Sequence, residues 1–222
     1  MTSFNLSLNA KANAPWKALL QKSLALNSNL PQAKYLQLAT VRPDGRPANR
    51  TVVFRGFLYD TDHITIVTDR RSGKVSELAS NPHVEVCWYF PSSREQYRLS
   101  GTMAVISQDD SNQQLLQARQ EAWARLSGAG RCQFVWPHPG QPRMPADESL
   151  FLQPAPESAG SAAPDFCLGV VQVTEVDHVD LYTNQRRVFS SQPAALVAAG
   201  TADNGGEAAQ AGLRWETRNV NP

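Results

Sequence analysis

Residues 35–57 read YLQLATVRPDGRPANRTVVFRGF, and this stretch decides the fold class. Tyr35 to Val41 has the residue types of a strand, which predicts the first strand of the fold. Pro43-Asp44-Gly45 supplies a turn. Asn49 to Phe57 is rich in β-branched and aromatic residues and predicts a second strand. Together these segments predict a β-hairpin.

Further short strands follow the hairpin, and helical periodicity is limited to a few segments. Strands are predicted at His63–Thr68, Val84–Phe90, Gln96–Ser107, Phe166–Tyr182 and Leu213–Val220, and helices at Pro15–Leu26, Ser72–Ala79 and Asp109–Leu126. Many strands at short spacing with few helices indicate a closed or sandwiched antiparallel sheet. Without βαβ alternation, GxGxxG or GxxxxGK[ST], a Rossmann or P-loop enzyme is not expected.

The composition of the chain indicates which classes of binding partner are not expected. The chain has 222 residues, of which 41% are hydrophobic, and a net charge of +1, so no global field favours nucleic acid or a membrane surface. The first 13 residues lack the features of a signal peptide, and no stretch approaches the length of a membrane span. Cys87, Cys132 and Cys167 show no metal or disulfide spacing. We expect a cytoplasmic protein without nucleic-acid or membrane partners.

The stretch 49–57 carries two arginines that are candidates for ligand binding. Strict alternation places Arg50 and Arg55 on opposite faces of a strand because their separation is odd. Both reach one ligand only if the strand bulges or the ligand lies along its end. The alternative is two solvated arginines on an edge strand.

Two further stretches combine polar side chains with β-structure. In 67–74 a strand ends at a basic turn, and Ser72 is expected to cap a helix whose first amides include Gly73 and Lys74. Exposed amides and an ammonium make an anion site that suits phosphate, although an ordinary helix start has the same pattern. In 94–101, Gln96 either bonds a heterocycle or belongs to a polar outer face.

Read in order, these stretches resemble the pyridoxamine 5′-phosphate oxidase family of FMN-binding split barrels, in its cyanobacterial and plant-type branch. The motifs that carry the resemblance are Leu38-Ala39-Thr40 with Gly45 and Arg50, Val67-Thr68, Ser72-Gly73-Lys74, Glu77-Leu78 with Asn81-Pro82, Gln96 to Gly101, and Arg214-Trp215-Glu216 through Pro222. The resemblance runs from about Pro31 to the end and is strongest up to Gly101.

The resemblance implies a mainly β fold, an antiparallel split barrel with flanking helices, that binds FMN at the interface of a homodimer. Arg50 and Lys74 would hold the FMN phosphate with Ser72, and Gln96 would reach the flavin from the facing subunit. The full implied cofactor set is Arg50, Thr51, Val52, Val53, Arg55, Val67, Thr68, Ser72, Gly73, Lys74, Gln96, Tyr182 and Arg187. Arg55 and Arg186 are the implied substrate-binding residues; no catalytic residue and no metal site is assigned.

Several positions depart from the family pattern. Gly73 stands where the family has arginine, so Arg70 or Arg71 would have to supply that contact. The carboxyl-terminal stretch 182–189 lacks the family's histidine, and Tyr182 replaces a tryptophan. In the middle of the chain, Trp123 is interpreted as a core residue and Arg119 as a solvated or salt-bridged side chain. The turn 136–140, Trp-Pro-His-Pro-Gly, either closes over a ligand or is merely rigid.

The expected function is an FMN-dependent oxidase acting on pyridoxamine or pyridoxine 5′-phosphate, which would place the protein in vitamin B6 metabolism. The alternative is a non-catalytic FMN-binding or flavin-storage protein with the same fold. We treat residues 1–222 as a single domain, with a helical extension over 1–30 and a flexible loop over 190–212.

Overall fold

The computed structural model describes residues 14–192 and 214–222, which form one antiparallel sheet with helices around it. The strands are β1 (Tyr35–Val41), β2 (Pro47–Val53), β3 (Gly56–Phe57), β4 (Ile64–Asp69), β5 (His83–Phe90), β6 (Glu95–Ile106), β7 (Phe166–Asp180), β8 (Gln185–Gln192) and β9 (Arg214–Val220). The helices are α1 (Pro15–Leu26), α2 (Gly73–Ser80), α3 (Gln113–Ala124), α4 (Gly128–Cys132) and α5 (Glu148–Phe151), with 3-10 turns at Pro31–Lys34 and Pro145–Asp147.

The sheet curls into a half-barrel. Its strand order is β2-β1-β5-β6-β7-β4-β3, and β8 and β9 extend it beyond β7. The long strand β7 pairs with β4 along its first half and with β8 along its second half. At the other side, β2 and β4 approach each other without pairing. This is the mainly β, antiparallel fold that the sequence predicts.

The interior of the half-barrel follows from the alternation along the strands. In β5 every second residue is buried, including Trp88 and Phe90, which are fully enclosed. Helix α1 lies across the barrel and inserts Trp16, whose ring packs edge-on against Trp215 at 6.0 Å. The predicted bounds of α1, Pro15–Leu26, are confirmed. The aromatic core therefore ties the first helix to the last strand.

Helix α3 differs from its prediction at its start and in one side chain. It begins at Gln113 rather than near Asp109, because the Asn112 side chain accepts hydrogen bonds from the first free amides of the helix. Trp123 is a core residue, as predicted. The interpretation of Arg119 as solvated or salt-bridged is wrong: it is buried and donates to the carbonyl oxygens of Phe166 and Ala163 at 2.8 and 2.7 Å.

Two segments behave differently from their sequence patterns. Residues 185–192, which carry no strand prediction, form β8 against the second half of β7. The predicted loop 190–212 therefore starts inside this strand, and from residue 193 on it lies outside the described residues. The proline-rich span 137–164 is mostly irregular, as expected, but contains α5 and a 3-10 turn.

None of the helices in the described ranges is long and apolar enough to cross a bilayer.

A buried polar cluster lies beneath α1. The Ser23 hydroxyl is 2.7 Å from a Glu95 oxygen and 2.8 Å from the Tyr97 hydroxyl, and Nε2 of His178 is 3.0 Å from Glu95. The His178 ring also stacks on Tyr97 at 4.3 Å. Burial lowers the pKa of His178 below its ordinary value, and the hydrogen bond with Glu95 offsets this only in part. His178 is therefore held in its neutral form.

This cluster makes folding stability depend on pH. The pKa of His178 is lower in the folded chain than in the unfolded chain. The free energy of unfolding is therefore unaffected by protonation of His178 above about pH 6.5 and falls as the pH drops below this value. His178→Gln keeps a donor for Glu95 but cannot be protonated, so this variant is expected to lose less stability than the native chain between about pH 8 and 5.5. Urea unfolding at both pH values measures the difference.

The matched control for this prediction is His83→Gln, because His83 is an exposed histidine on β5, which is separated from the strand of His178 by β6. It is expected to keep the native pH dependence. Equal loss of stability in His178→Gln and the native chain would contradict the role given to His178.

Candidate functional site

One large cavity, of about 740 Å³, opens where β2 and β4 approach each other. Strands β2 and β4 and the start of α2 form one wall, and the segment from Leu126 to Phe151 forms the other. The lining residues on the strand side are Arg50, Thr51, Val52, Val53, Arg55, Val67, Thr68, Asp69, Ser72 and Lys74. Nine of these ten residues belong to the set implied by the sequence; Asp69 is the additional one.

Lys74 is the central cation of the strand-side wall. Its ammonium donates to the hydroxyls of Thr68 and Ser72, both at 3.0 Å. Burial, and then repulsion from Arg50, lowers the pKa of Lys74. Among the described residues Lys74 forms no ion pair, since the nearby Asp69 carboxylate is bound by Arg71 at 2.7 Å. A desolvated cation surrounded by hydroxyl groups favours an anionic ligand.

Arg50 is held in place by a buried acid. Its guanidinium is 2.7 Å from Glu77 on α2 and also donates to Thr40 and to the Leu38 carbonyl oxygen. Burial alone would raise the pKa of Glu77, but hydrogen bonds from Thr40 and Arg50 lower it on balance. Glu77 therefore remains charged and fixes the direction of the Arg50 side chain.

A break in the strand brings Arg55 to the same cavity as Arg50. The sequence predicts one strand over 49–57, but β2 ends at Val53, and pairing resumes only at Gly56. Between them the Phe54 amide donates to Lys34 and the Arg55 amide to Thr65. Gly56 has a φ of 127°, which a residue with a Cβ adopts only under strain. Both arginines therefore line one cavity, although β2 is an edge strand and Arg55 is exposed, so their role in ligand binding stays a prediction.

The start of α2 corrects the capping role predicted for Ser72. Ser72 precedes the helix, but its hydroxyl donates to the Asp69 carbonyl at 2.8 Å instead of capping an amide. Gly73 is exposed and does not line the cavity. Both neighbouring arginines form ion pairs within the chain, Arg70 with Asp109 and Asp165 and Arg71 with Asp69 and Asp165, so their contact with a phosphate stays a prediction.

Besides Gly73, four residues of the implied cofactor and substrate sets lie away from this cavity. Gln96 is on β6, Tyr182 is 79% exposed in the β7–β8 turn, and Arg186 and Arg187 are on β8. Both nitrogens of the Arg186 fork bind Asp177, at 2.9 and 2.7 Å. Arg187 donates to Gln185. Within one chain these residues do not join the cavity, and their role stays a prediction about a second subunit.

The second wall contains residues that the sequence patterns did not assign. Its aromatic and polar members are Gln133, Phe134, Trp136, His138, Gln141, Arg143, Asp147 and Phe151. The only signal in the sequence is the Trp-Pro-His-Pro-Gly turn at 136–140. Two arginines in or near this segment do not line the cavity. Arg119 on α3 donates to carbonyl oxygens in the core, and Arg131 donates to the carbonyl oxygens of Pro156 and Leu126.

The geometry agrees with the comparison to known proteins. Residues 13–107 match the family model of the FMN-binding domain of pyridoxamine 5′-phosphate oxidase. Over 209 residues the chain is 41% identical to pyridoxine/pyridoxamine 5′-phosphate oxidase 2 of Arabidopsis thaliana, covering 94% of this chain and 98% of the plant protein. The chain belongs to the pyridoxamine 5′-phosphate oxidase family. The resemblance inferred from the ordered motifs is thereby confirmed.

Solved structures support the same assignment. A pyridoxamine 5′-phosphate oxidase-related, FMN-binding protein from Nostoc punctiforme is 39% identical, with a TM-score of 0.82 over 95% of this chain and all of the other. PhzG from Burkholderia lata, in complex with tetrahydrophenazine-1-carboxylic acid, is only 16% identical but reaches a TM-score of 0.66, over 95% of this chain and 94% of that chain. The second match supports the fold alone. The predicted split barrel is confirmed.

The cofactor of this pyridoxamine 5′-phosphate oxidase family member is FMN. The residues present fit it: Lys74 and Arg50 are cations, and Thr68 and Ser72 offer hydroxyls, as a phosphate monoester requires. The valines of β2 and β4 provide apolar surface for a planar ring system. The cavity volume also lies within the range of small-molecule sites.

Proposed function

We propose that this protein is an FMN-dependent oxidoreductase acting on pyridoxine or pyridoxamine 5′-phosphate. The observation that carries the proposal is the composition of the cavity. One wall offers a cation and hydroxyl groups for the FMN phosphate, and the opposite wall adds aromatic side chains and a histidine that the phosphate does not require. The near full-length similarity to the plant oxidase supports this substrate class.

The residues of the chain divide into binding and positioning roles. Lys74, Arg50, Ser72 and Thr68 hold the cofactor phosphate, and Glu77 orients Arg50. FMN, when bound, supplies a two-electron acceptor. Arg55 places a positive charge in the same cavity, where it stabilises negative charge on the reduced ring system or on the substrate. The aromatic wall excludes water and orients a planar substrate.

The experiment is a turnover assay with the purified, FMN-loaded protein in air. Pyridoxine 5′-phosphate and pyridoxamine 5′-phosphate are each expected to give pyridoxal 5′-phosphate with consumption of oxygen. Arg55→Met is expected to lower kcat/KM at least about tenfold, since it removes a charge-assisted contact. If the loaded native protein forms no product from either compound, the proposed reaction is excluded while FMN binding is left intact.

One observation favours the second candidate, a non-catalytic FMN-binding or flavin-storage protein. Arg186, which the family resemblance implies as a substrate residue, is bound on both sides of its fork by Asp177, and residues 182–189 contain no histidine. For such a protein, FMN would bind tightly but would not be reduced by any amine or alcohol substrate. Anaerobic mixing with a panel of such compounds, followed by the flavin absorbance, separates the two candidates.

A homodimer with FMN at the subunit interface is also proposed. It is supported by the positions of Gln96, Tyr182 and Arg187, which lie outside the cavity of their own chain but belong to the implied cofactor set. We expect sedimentation equilibrium to give twice the chain mass of 24.4 kDa. A monomer that retains full FMN affinity would contradict the interfacial site.

We place the protein in the cytoplasm, where thiols stay reduced. Support comes from Cys87, Cys132 and Cys167, which are all unpaired in the structure. Cell fractionation with an antibody against the chain tests this location, and recovery in a secreted or membrane fraction would contradict it.

A further inference from the structure

The second wall of the cavity is a preorganised surface. The Trp136 and Phe151 rings pack edge-on at 5.5 Å, and the Arg143 guanidinium lies over the Phe151 ring at 4.5 Å. Arg143 also forms two hydrogen bonds of 2.9 Å with Glu148. The Trp136–Phe151 contact therefore joins the two ends of residues 136–151, and the residues between these ends are held in a defined arrangement.

His138 occupies the middle of this wall with one ring nitrogen already committed. Its Nδ1 is 2.9 Å from the carbonyl oxygen of Pro139. A carbonyl only accepts hydrogen bonds, so the proton of the neutral ring is on Nδ1, and Nε2 is an acceptor. The chain has four histidines, all within the described ranges, and His138 alone among them lines this cavity.

The remaining charges near His138 restrict the class of ligand. Arg143 is neutralised by Glu148, whereas Arg55 forms no ion pair in the part of the chain that the structure describes. The ligand space that the FMN phosphate leaves thus contains one unpaired cation and an aromatic wall. The hydrogen-bonding side chains of that wall include Gln133, Gln141 and His138, which lies in the middle of the wall and offers Nε2 as an acceptor. This set suits a planar anionic compound that carries a hydroxyl or amino hydrogen-bond donor.

We propose that His138 is a specificity-determining substrate residue, whose Nε2 accepts a hydrogen bond from the hydroxyl or amine at the carbon to be oxidised. The ring of the substrate lies against the second wall of the cavity, next to Trp136. The anionic group of the substrate pairs with Arg55. This inference rests on the proposed function and deepens it, because it names the group of the substrate that the site recognises.

The test compares two ligands that differ only in the recognised group. Pyridoxine 5′-phosphate carries the hydroxyl, and 4-deoxypyridoxine 5′-phosphate lacks it. Both are titrated calorimetrically into FMN-loaded protein that is kept reduced and anaerobic, so that neither compound is oxidised. The native protein is expected to bind the hydroxyl compound about tenfold more tightly, as one additional hydrogen bond provides.

Three variants complete the experiment. His138→Phe keeps a ring but removes the acceptor, and it is expected to bind both ligands with equal affinity while its FMN affinity is unchanged. His138→Gln retains an acceptor and is expected to recover part of the preference. His83→Phe, the matched exposed histidine outside the cavity, is expected to behave as the native protein.

The outcomes separate this inference from the proposed function. If His138→Phe keeps the native preference, or if the native protein binds both ligands equally, His138 is not the recognising residue while the proposed substrate class stands. If FMN affinity falls in parallel with ligand affinity in His138→Phe, the residue belongs to the cofactor site, and the inference is overturned. If the native protein binds neither ligand, the proposed substrate class fails and the inference with it.

Discussion

Replacing Lys74 with methionine is expected to weaken FMN binding about 30- to 150-fold, because the charge-assisted contact that it loses is worth about 2–3 kcal/mol. Methionine preserves the length and apolar stem of the side chain, so the packing around α2 is kept. In the native cavity the ammonium is surrounded by two hydroxyl groups and no carboxylate of the described chain pairs with it. Its charge is therefore available to the cofactor phosphate. Fluorescence titration of apoprotein with FMN measures the loss.

The control for Lys74 is Lys34→Met, which changes an exposed lysine at the end of the 3-10 turn before β1. This variant is expected to bind FMN as the native chain does. If Lys74→Met binds FMN with native affinity, the phosphate does not lie at this cation, and the placement of the cofactor in the cavity is wrong.

The same lysine predicts a pH dependence of FMN affinity. Burial and Arg50 lower the pKa of Lys74 from its usual 10.5, and a bound phosphate dianion raises it again, so binding is accompanied by proton uptake. FMN affinity is expected to be highest at pH values where Lys74 of the free protein is protonated, and to fall as the pH rises through the lowered pKa of Lys74. Lys74→Arg stays charged and is expected to bind FMN with a flat profile over this range.

A methyl group on Gly101 is expected to destabilise the fold by at least about 3 kcal/mol, a decrease in Tm of about 6–12 °C. Gly101 is buried in β6 at a bulge in its pairing with β7. An added Cβ would overlap the backbone carbonyl of Gln172, which belongs to the sheet and has no rotamer by which to move away. Thermal unfolding of Gly101→Ala measures the effect.

Two other glycines provide a graded comparison for Gly101. At Gly169 the added Cβ meets the tip of Met103 and the Ile66 side chain at 2.9 Å, so flexible atoms absorb part of the clash. At Gly160, in the loop before β7, the nearest atoms are at 3.7 Å, which is ordinary contact. We expect losses in the order Gly101, Gly169, Gly160, with Gly160→Ala close to native. A Gly101→Ala protein as stable as Gly160→Ala would show that β6 and β7 are not paired in this register.

The secondary structure and part of the site could be predicted wherever the deciding residues are close together in the sequence. Strand-forming residue types and turn residues determined the hairpin of β1 and β2, and the 3.6-residue period with Pro15 determined α1. The phosphate end of the site was predictable for the same reason. Thr68, Ser72 and Lys74 lie within seven residues, so the turn from β4 into α2 brings them together almost regardless of the rest of the chain.

Only the tertiary structure decided the rest of the site, because its contacts join residues that no local pattern relates. Strand alternation separates Arg50 from Arg55, and the break before Gly56, fixed by bonds to distant carbonyls, brings both to the cavity. Arginine is a residue type that is usually exposed, yet Arg119 is buried and donates to the carbonyl oxygens of Ala163 and Phe166. His138 becomes part of the site because the segment around it folds across the barrel, more than 60 residues away in sequence from Lys74.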